Sequence, residues 1–145
     1  MQFTITDDQS RADALLAVSS APMGASVVVN EKGEKRRDRQ NRFSHEVYRQ
    51  VAKMLGDRSQ TDVRAESKLH VATPILRAHD PDFCAKYDEH IKPLPYETKL
   101  AVMVEPFDFP VTSLMTVKVM AEYITALLQY WDERNAPAML DRYDL

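Results

Sequence analysis

The chain holds one cysteine, Cys84, in 145 residues. A lone cysteine excludes an internal disulfide and fits a reducing compartment. Glycine is scarce as well, three in all, and no G-x-S-x-G segment occurs. That argues against a glycine-rich phosphate cradle and against a nucleophile elbow. No apolar run approaches the roughly 20 residues that a membrane span needs. The opening MQFTITDDQSRADALL has no basic leader, no continuous apolar run and no small-residue cleavage site, so a secretory signal is not expected. Repeats and low-complexity segments are also lacking. The four histidines (His45, His70, His79, His90) stand without a C-x-x-C pair or an H-E-x-x-H element. No metal site and no other cofactor is therefore expected.

What remains is ordinary globular material, with 44% hydrophobic and 28% charged residues. One domain over residues 1–136 is expected, followed by a loose tail over 137–145. The fold class expected is α+β, a small N-terminal sheet with several helices. Met1–Thr6 alternates apolar and polar residues and reads as a half-buried strand. Asp7 or Asp8 is placed to cap a helix through about Ser20, with Ala12, Leu15, Leu16 and Ser19 on its inner face. Pro22 and Gly24 break the chain, and Ser26–Asn30, with Val27-Val28-Val29, reads as a second strand turning near Lys32-Gly33.

Beyond that point helical spacing dominates. Phe43, Val47, Val51 and Met54 mark a helix from about Asp38 to Leu55, stopped by Gly56. Ser59 or Thr61 caps a helix through about Val71, which Pro74 should end. Asp80-Pro81 starts another, with Phe83, Tyr87 and Ile91 on one face. Pro95 opens a short helix over Tyr96–Val104. The last long helix runs from about Thr116 to Arg134, with Val117, Met120, Ile124, Leu127 and Trp131 spaced as a packing seam. Such a seam also offers apolar surface for a homodimer.

Charge is the most uneven property. The net charge is −3, yet residues 32–42 contain six basic and two acidic residues, a local +4 that leaves −7 for the rest. Four arginines fall within Arg36–Arg42, at the expected junction of strand and helix. Guanidinium groups grip phosphates bidentately, and a helix start adds backbone N–H donors and a positive dipole end. Continuing the helix at about 100° per residue sets Arg39, Arg42, Arg49 and Lys53 in one arc, apart from the core residues and interrupted by Glu46. Lys35, Arg36 and Arg37 precede this arc. Gln40 and Asn41 could hydrogen-bond base edges. The same pattern also fits a solvated basic face that pairs with the acidic remainder. Tyr123, Tyr130 and Trp131 could stack on bases, although their helical spacing equally fits core.

The segment Arg36-Arg37-Asp38-Arg39-Gln40-Asn41-Arg42 resembles the NinB family of phage recombination proteins, also called the Orf family. Its members carry an Arg-Ser-x-Asp-Gln-Asn-Arg-like motif after a strand and opening a helix. Arg36, Gln40, Asn41 and Arg42 match, while Arg37 stands for the usual Ser and Arg39 for the usual Asp. Five residues past the Gln, where a member may carry Trp, this chain has His45. The likeness continues through Glu66–Leu76, Ile91–Tyr96, Val111–Thr116 and Met120–Tyr123. It implies a cytoplasmic, phage- or prophage-encoded homodimer that binds single-stranded and partly duplex DNA in a shallow basic groove. It further implies contact with single-strand-binding protein, help in loading a recombinase, no catalytic residue and no membrane association. The DNA-binding residues expected are Lys35, Arg36, Arg37, Arg39, Gln40, Asn41, Arg42, His45, Arg49 and Lys53. Two other readings stay open. One is a small phage nuclease that assembles Asp57, Asp62, Glu66 and Lys68 around metal ions. The other is an adaptor whose basic patch meets an acidic partner.

Overall fold

A computed structural model describes residues 2–29 and 32–140, leaving aside the side chains of 32–35. The described residues contain helices, turns and irregular segments, with no strand among them. This corrects the α+β expectation: the fold is all-helical. Residues 2–6 and 26–29, where strands were expected, carry no ladder. Met1 and Asn30, the far ends of those two segments, lie outside the described residues. Alternation and β-branching suit a pleated surface but create none without a neighbouring strand to pair with. The turn expected at Lys32-Gly33 is instead the start of the longest helix.

The chain groups into two units, Met1–Glu31 and Lys32–Leu145. In the first, α1 (Asp8–Ser19) begins on a capping box between Asp7 and Ser10. Ser10 N–H donates to the Asp7 carboxylate at 2.8 Å, and Ser10 Oγ accepts from Asp7 N–H at 3.0 Å. The inner face expected for this helix is not found, because α1 buries no residue.

The second unit comprises α2 (Lys32–Leu55), α3 (Gln60–Ser67), α4 (Thr73–His79), α5 (Pro81–His90), α6 (Tyr96–Val102) and α7 (Val117–Asp132). Gly56 ends α2 with φ 72° and an N–H to the Ala52 carbonyl at 2.9 Å. Ser59 caps α3, Asp80 caps α5 ahead of Pro81, and Thr116 caps α7. Pro74 does not end its helix. Residues Lys68–Ala72 form a turn of π-helix that joins α3 to α4. Proline lacks an N–H and crowds the carbonyl four residues back, so the helix widens and Thr73 N–H reaches the Lys68 carbonyl instead.

The core lies between α2, α7 and the α3–α4 helix. Val47, Val51, Val63, Leu127 and Trp131 are completely buried. Met54 belongs to the expected core arc but is exposed. Met120, Ile124, Leu127 and Trp131 are all buried within the chain, so this seam is not the free surface expected for a homodimer. Trp131 Nε1 donates to Ser67 Oγ at 2.9 Å, and the Tyr48 and Tyr123 hydroxyls meet at 2.6 Å. In the tail expected to be loose, Met139 N–H donates to Gln50 Oε1 at 2.9 Å. No helix among the described residues is long and apolar enough to cross a membrane.

Lys68 ties the 103–109 segment to this core. Its buried ammonium donates to the Met103 carbonyl at 2.6 Å, the Phe109 carbonyl at 2.7 Å and Asp108 Oδ1 at 3.0 Å. Lys68 and Arg64 hold the Asp108 carboxyl below its ordinary value of 3.8. A carboxyl with a folded-state pKa below the unfolded one stabilises fully above the unfolded value and loses that contribution as pH falls. Stability should therefore decline below about pH 4, and less steeply in Asp108→Asn, as read by urea midpoints across pH. Lys68→Met should cost about 3 kcal/mol in denaturant titration, because two carbonyls and a carboxylate lose their donor.

Candidate functional site

Helix α2 begins at Lys32, so its unpaired backbone N–H groups end at residue 34 and do not reach the arginines that follow. Arg36–Arg42 therefore occupies the second and third turns, where phosphate contacts must come from side chains. Lys35 falls outside the described side chains. Arg36, Asn41, Arg42 and Lys53 are exposed, while Arg39 and His45 are half-buried. Arg49 is also exposed but is held bidentately by Glu46, with Nε to Oε2 at 2.9 Å. That pairing draws the Glu46 carboxyl down to about 2, so Arg49 adds little net charge to the stripe. Burial and the nearby Arg64 charge lower the His45 pKa, which keeps this ring neutral at pH 7.

Two residues expected on DNA bond the backbone near the start of α7, Gln40 from a buried position and Arg37 from an exposed one. Gln40 is buried, and its Nε2 donates to the Val117 carbonyl at 2.9 Å. Arg37 Nη2 donates to the Met115 carbonyl at 2.6 Å. Positions 37 and 40 share a helix face, and together they fasten the start of α2 to the start of α7. Gln40 lies one turn from Ser44 and Phe43 on the core arc, so its burial follows the same periodicity that marked Val47 and Val51. Periodicity carried the structural role, while the motif suggested base contact.

Ion pairing divides the arginines of this unit. Arg58 pairs with Asp57 and Glu66, Arg64 with Asp108, Arg77 with Asp88, and Arg49 with Glu46. Arg36, Arg37, Arg39 and Arg42 meet no carboxylate among the described residues, and Arg39 Nε is buried without an acceptor. Glu46, Asp57, Glu66, Asp88 and Asp108 thus spend their charge on other arginines.

Of the carboxylates of the nuclease reading, Asp57 and Glu66 meet on the Arg58 guanidinium, and Asp62 is engaged elsewhere. Asp57 holds Arg58, Asp62 closes the capping box with Ser59, and Glu66 accepts from Arg58 and the Tyr130 hydroxyl. Lys68 is taken by the 103–109 segment. No group of three His, Cys, Asp or Glu residues suited to hold a metal ion exists among the described residues.

A second feature escaped the sequence reading. The π turn carries His70 outward into a groove of about 390 Å³, lined also by Leu55, Arg58, Glu66, Tyr96, Tyr130, Trp131 and Arg134. His70 Nε2 meets the Tyr96 hydroxyl at 2.8 Å, and Arg134 stacks 3.5 Å from the Tyr130 ring centre. Burial and the Glu66 carboxylate push the Tyr130 hydroxyl up to about 12. Of the aromatics suggested for base stacking, Tyr123 and Trp131 are core, whereas Tyr130 lines this groove. The available signal was Pro74, four residues after His70, at a position that disturbs the helix.

No known protein family, curated protein or solved structure matches the chain.

Gln40→Ala should lower stability by about 1–2 kcal/mol in denaturant titration, since a buried hydrogen bond and packed volume are lost. DNA affinity measured on the folded fraction should stay within twofold of the parent.

Proposed function

We propose that this protein binds single-stranded and partly duplex DNA through the solvent face of α2 and does not cut it. The observation that carries this reading is that Arg36, Arg39 and Arg42 meet no carboxylate among the described residues, while Arg49, Arg58, Arg64 and Arg77 each hold one. Their charge disfavours the view that the segment is merely a basic face neutralised by its own acidic body. The −7 carried by the rest of the chain limits affinity but does not abolish attraction. At physiological salt, charges beyond about 8 Å are largely screened, so a phosphate at the α2 surface responds chiefly to the nearest guanidinium groups.

The finer reading is a phage recombination mediator that works beside single-strand-binding protein and helps a recombinase load. Its support is the likeness of the Arg36–Arg42 motif. Arg36, Asn41 and Arg42 remain exposed to serve it, while Gln40 acts in the fold. A homodimer and a cytoplasmic site in a phage-bearing cell belong to the same proposal. The absence of cleavage is supported by the Arg58 guanidinium that Asp57 and Glu66 already share, and by the cap that Asp62 closes with Ser59.

Arg36 and Arg42 are both exposed, so their joint replacement by alanine should leave thermal stability unchanged. Each phosphate contact on a single strand contributes about −0.7 to the slope of log K against log salt. The double variant should therefore flatten the slope by roughly 1.4 and weaken binding to all sequences alike. A folded double variant with parental affinity and slope would remove α2 from the DNA site and favour an acidic protein partner.

A further inference from the structure

We propose that the groove formed by the π turn, α6 and the end of α7 is a stacking site for an unpaired base of single-stranded DNA. The inference rests on the DNA-binding reading and adds to it a second, chemically different contact region. Tyr96 leaves 47% of its surface exposed, and His70 beside it is exposed too, with ring centres 5.6 Å apart. Large aromatic surface left in solvent at a concave site offers a flat apolar face to a flat partner. The hydroxyl–imidazole bond between Tyr96 and His70 holds both rings in place before any ligand arrives.

The charges around the groove are sorted. Glu66 lines the groove and is already bound by Arg58 at 3.1 Å and the Tyr130 hydroxyl at 2.9 Å, while Glu97 acts on Tyr96 from its own helix and Glu133 lies on the other side of His70 and Tyr130. Arg134 has no carboxylate among the described residues. It lies on Tyr130 and donates to that residue's carbonyl at 2.9 Å, at the rim of the groove. An aromatic floor with an unpaired guanidinium at its edge suits a base with its phosphate attached. This is the pairing of stacking platform and cation that single-strand binding uses. In a duplex the base faces are already stacked and cannot enter, so the groove selects for single strands.

The groove also lies apart from the Arg36–Arg42 segment of α2. Arg37 and Gln40 touch the start of α7, while Leu55 and Trp131 share the groove, so α2 and α7 run side by side in the same direction. Fifteen residues at 1.5 Å each put the two regions about 20 Å apart. Substitutions at one should therefore leave the other intact.

The test uses the full chain with a single-stranded oligonucleotide and with an abasic oligomer of the same length, which keeps the phosphates and lacks the bases. The base-bearing strand should bind about tenfold more tightly. Tyr96→Ala and His70→Ala together should remove most of that difference without altering the salt slope, while Tyr96→Phe, which keeps the ring, should retain it. A 2-aminopurine base in the strand should lose fluorescence on binding the parent and recover it on the double variant. Equal binding of both oligomers, or a folded double variant that keeps the full preference and the quenching, overturns the stacking site and leaves the α2 reading standing. Failure of the parent to bind either oligomer overturns the α2 reading, and this one with it. A free nucleoside monophosphate that displaces the strand at equal concentration would assign the groove to a small nucleotide instead.

Discussion

Pro74 has no N–H for the carbonyl of His70 and no room to sit against it, in the middle of a helix that otherwise runs from Gln60 to His79. Breaking the helix there would expose Leu69, Val71, Ala72 and Leu76, all of which are buried. The chain keeps the helix and widens one turn. Three consequences depend on the altered rotation. Ser67 stays inside, where its hydroxyl accepts from Trp131; Lys68 faces inward and anchors the 103–109 segment; and His70 faces outward at the groove. The same widening therefore joins the core to α7, fixes a long loop and exposes an imidazole.

Signals confined to a few neighbouring residues were legible in the sequence. Asp80-Pro81, Thr116 and Gly56 set their helix ends through contacts within one turn, and the structure keeps them. The seam of α7 was equally plain, because a period of 3.6 residues survives whatever packs against it. The sheet was not readable. Val27-Val28-Val29 satisfies strand propensity, but pairing needs a partner that no local pattern guarantees. The helical run after Lys32 absorbs the residues that would have supplied the turn. Likewise Pro74 was read as a stop because its local rule is to end a helix, and the cost of exposing Leu76 is visible only once the core is assembled.

The candidate site was half legible for a related reason. Exposure of Arg36 and Arg42 follows from their chemistry and from the core arc of α2. That Gln40 bonds the Val117 carbonyl depends on where α7 begins, 77 residues away. His70, Tyr96 and Tyr130 come from three different elements, and no spacing in the chain relates them. Tyr130 sits next to Trp131 in sequence yet ends in a different environment, since adjacent helix residues point about 100° apart.

The division of labour along α2 follows from the same rotation. One arc carries Gln40, Phe43, Val47 and Val51 into the core, and the opposite arc carries Arg42, Arg49 and Lys53 to solvent, with Arg39 half-buried. Like charges one turn apart oppose the helix by a few tenths of a kcal/mol per pair. Among the described residues, Arg49 is relieved, by Glu46. The remaining charges persist because burial on the other arc supplies far more than their repulsion takes away. A helix held by its apolar face can thus keep its cations unneutralised, which is the condition under which a phosphate backbone releases counterions on meeting it.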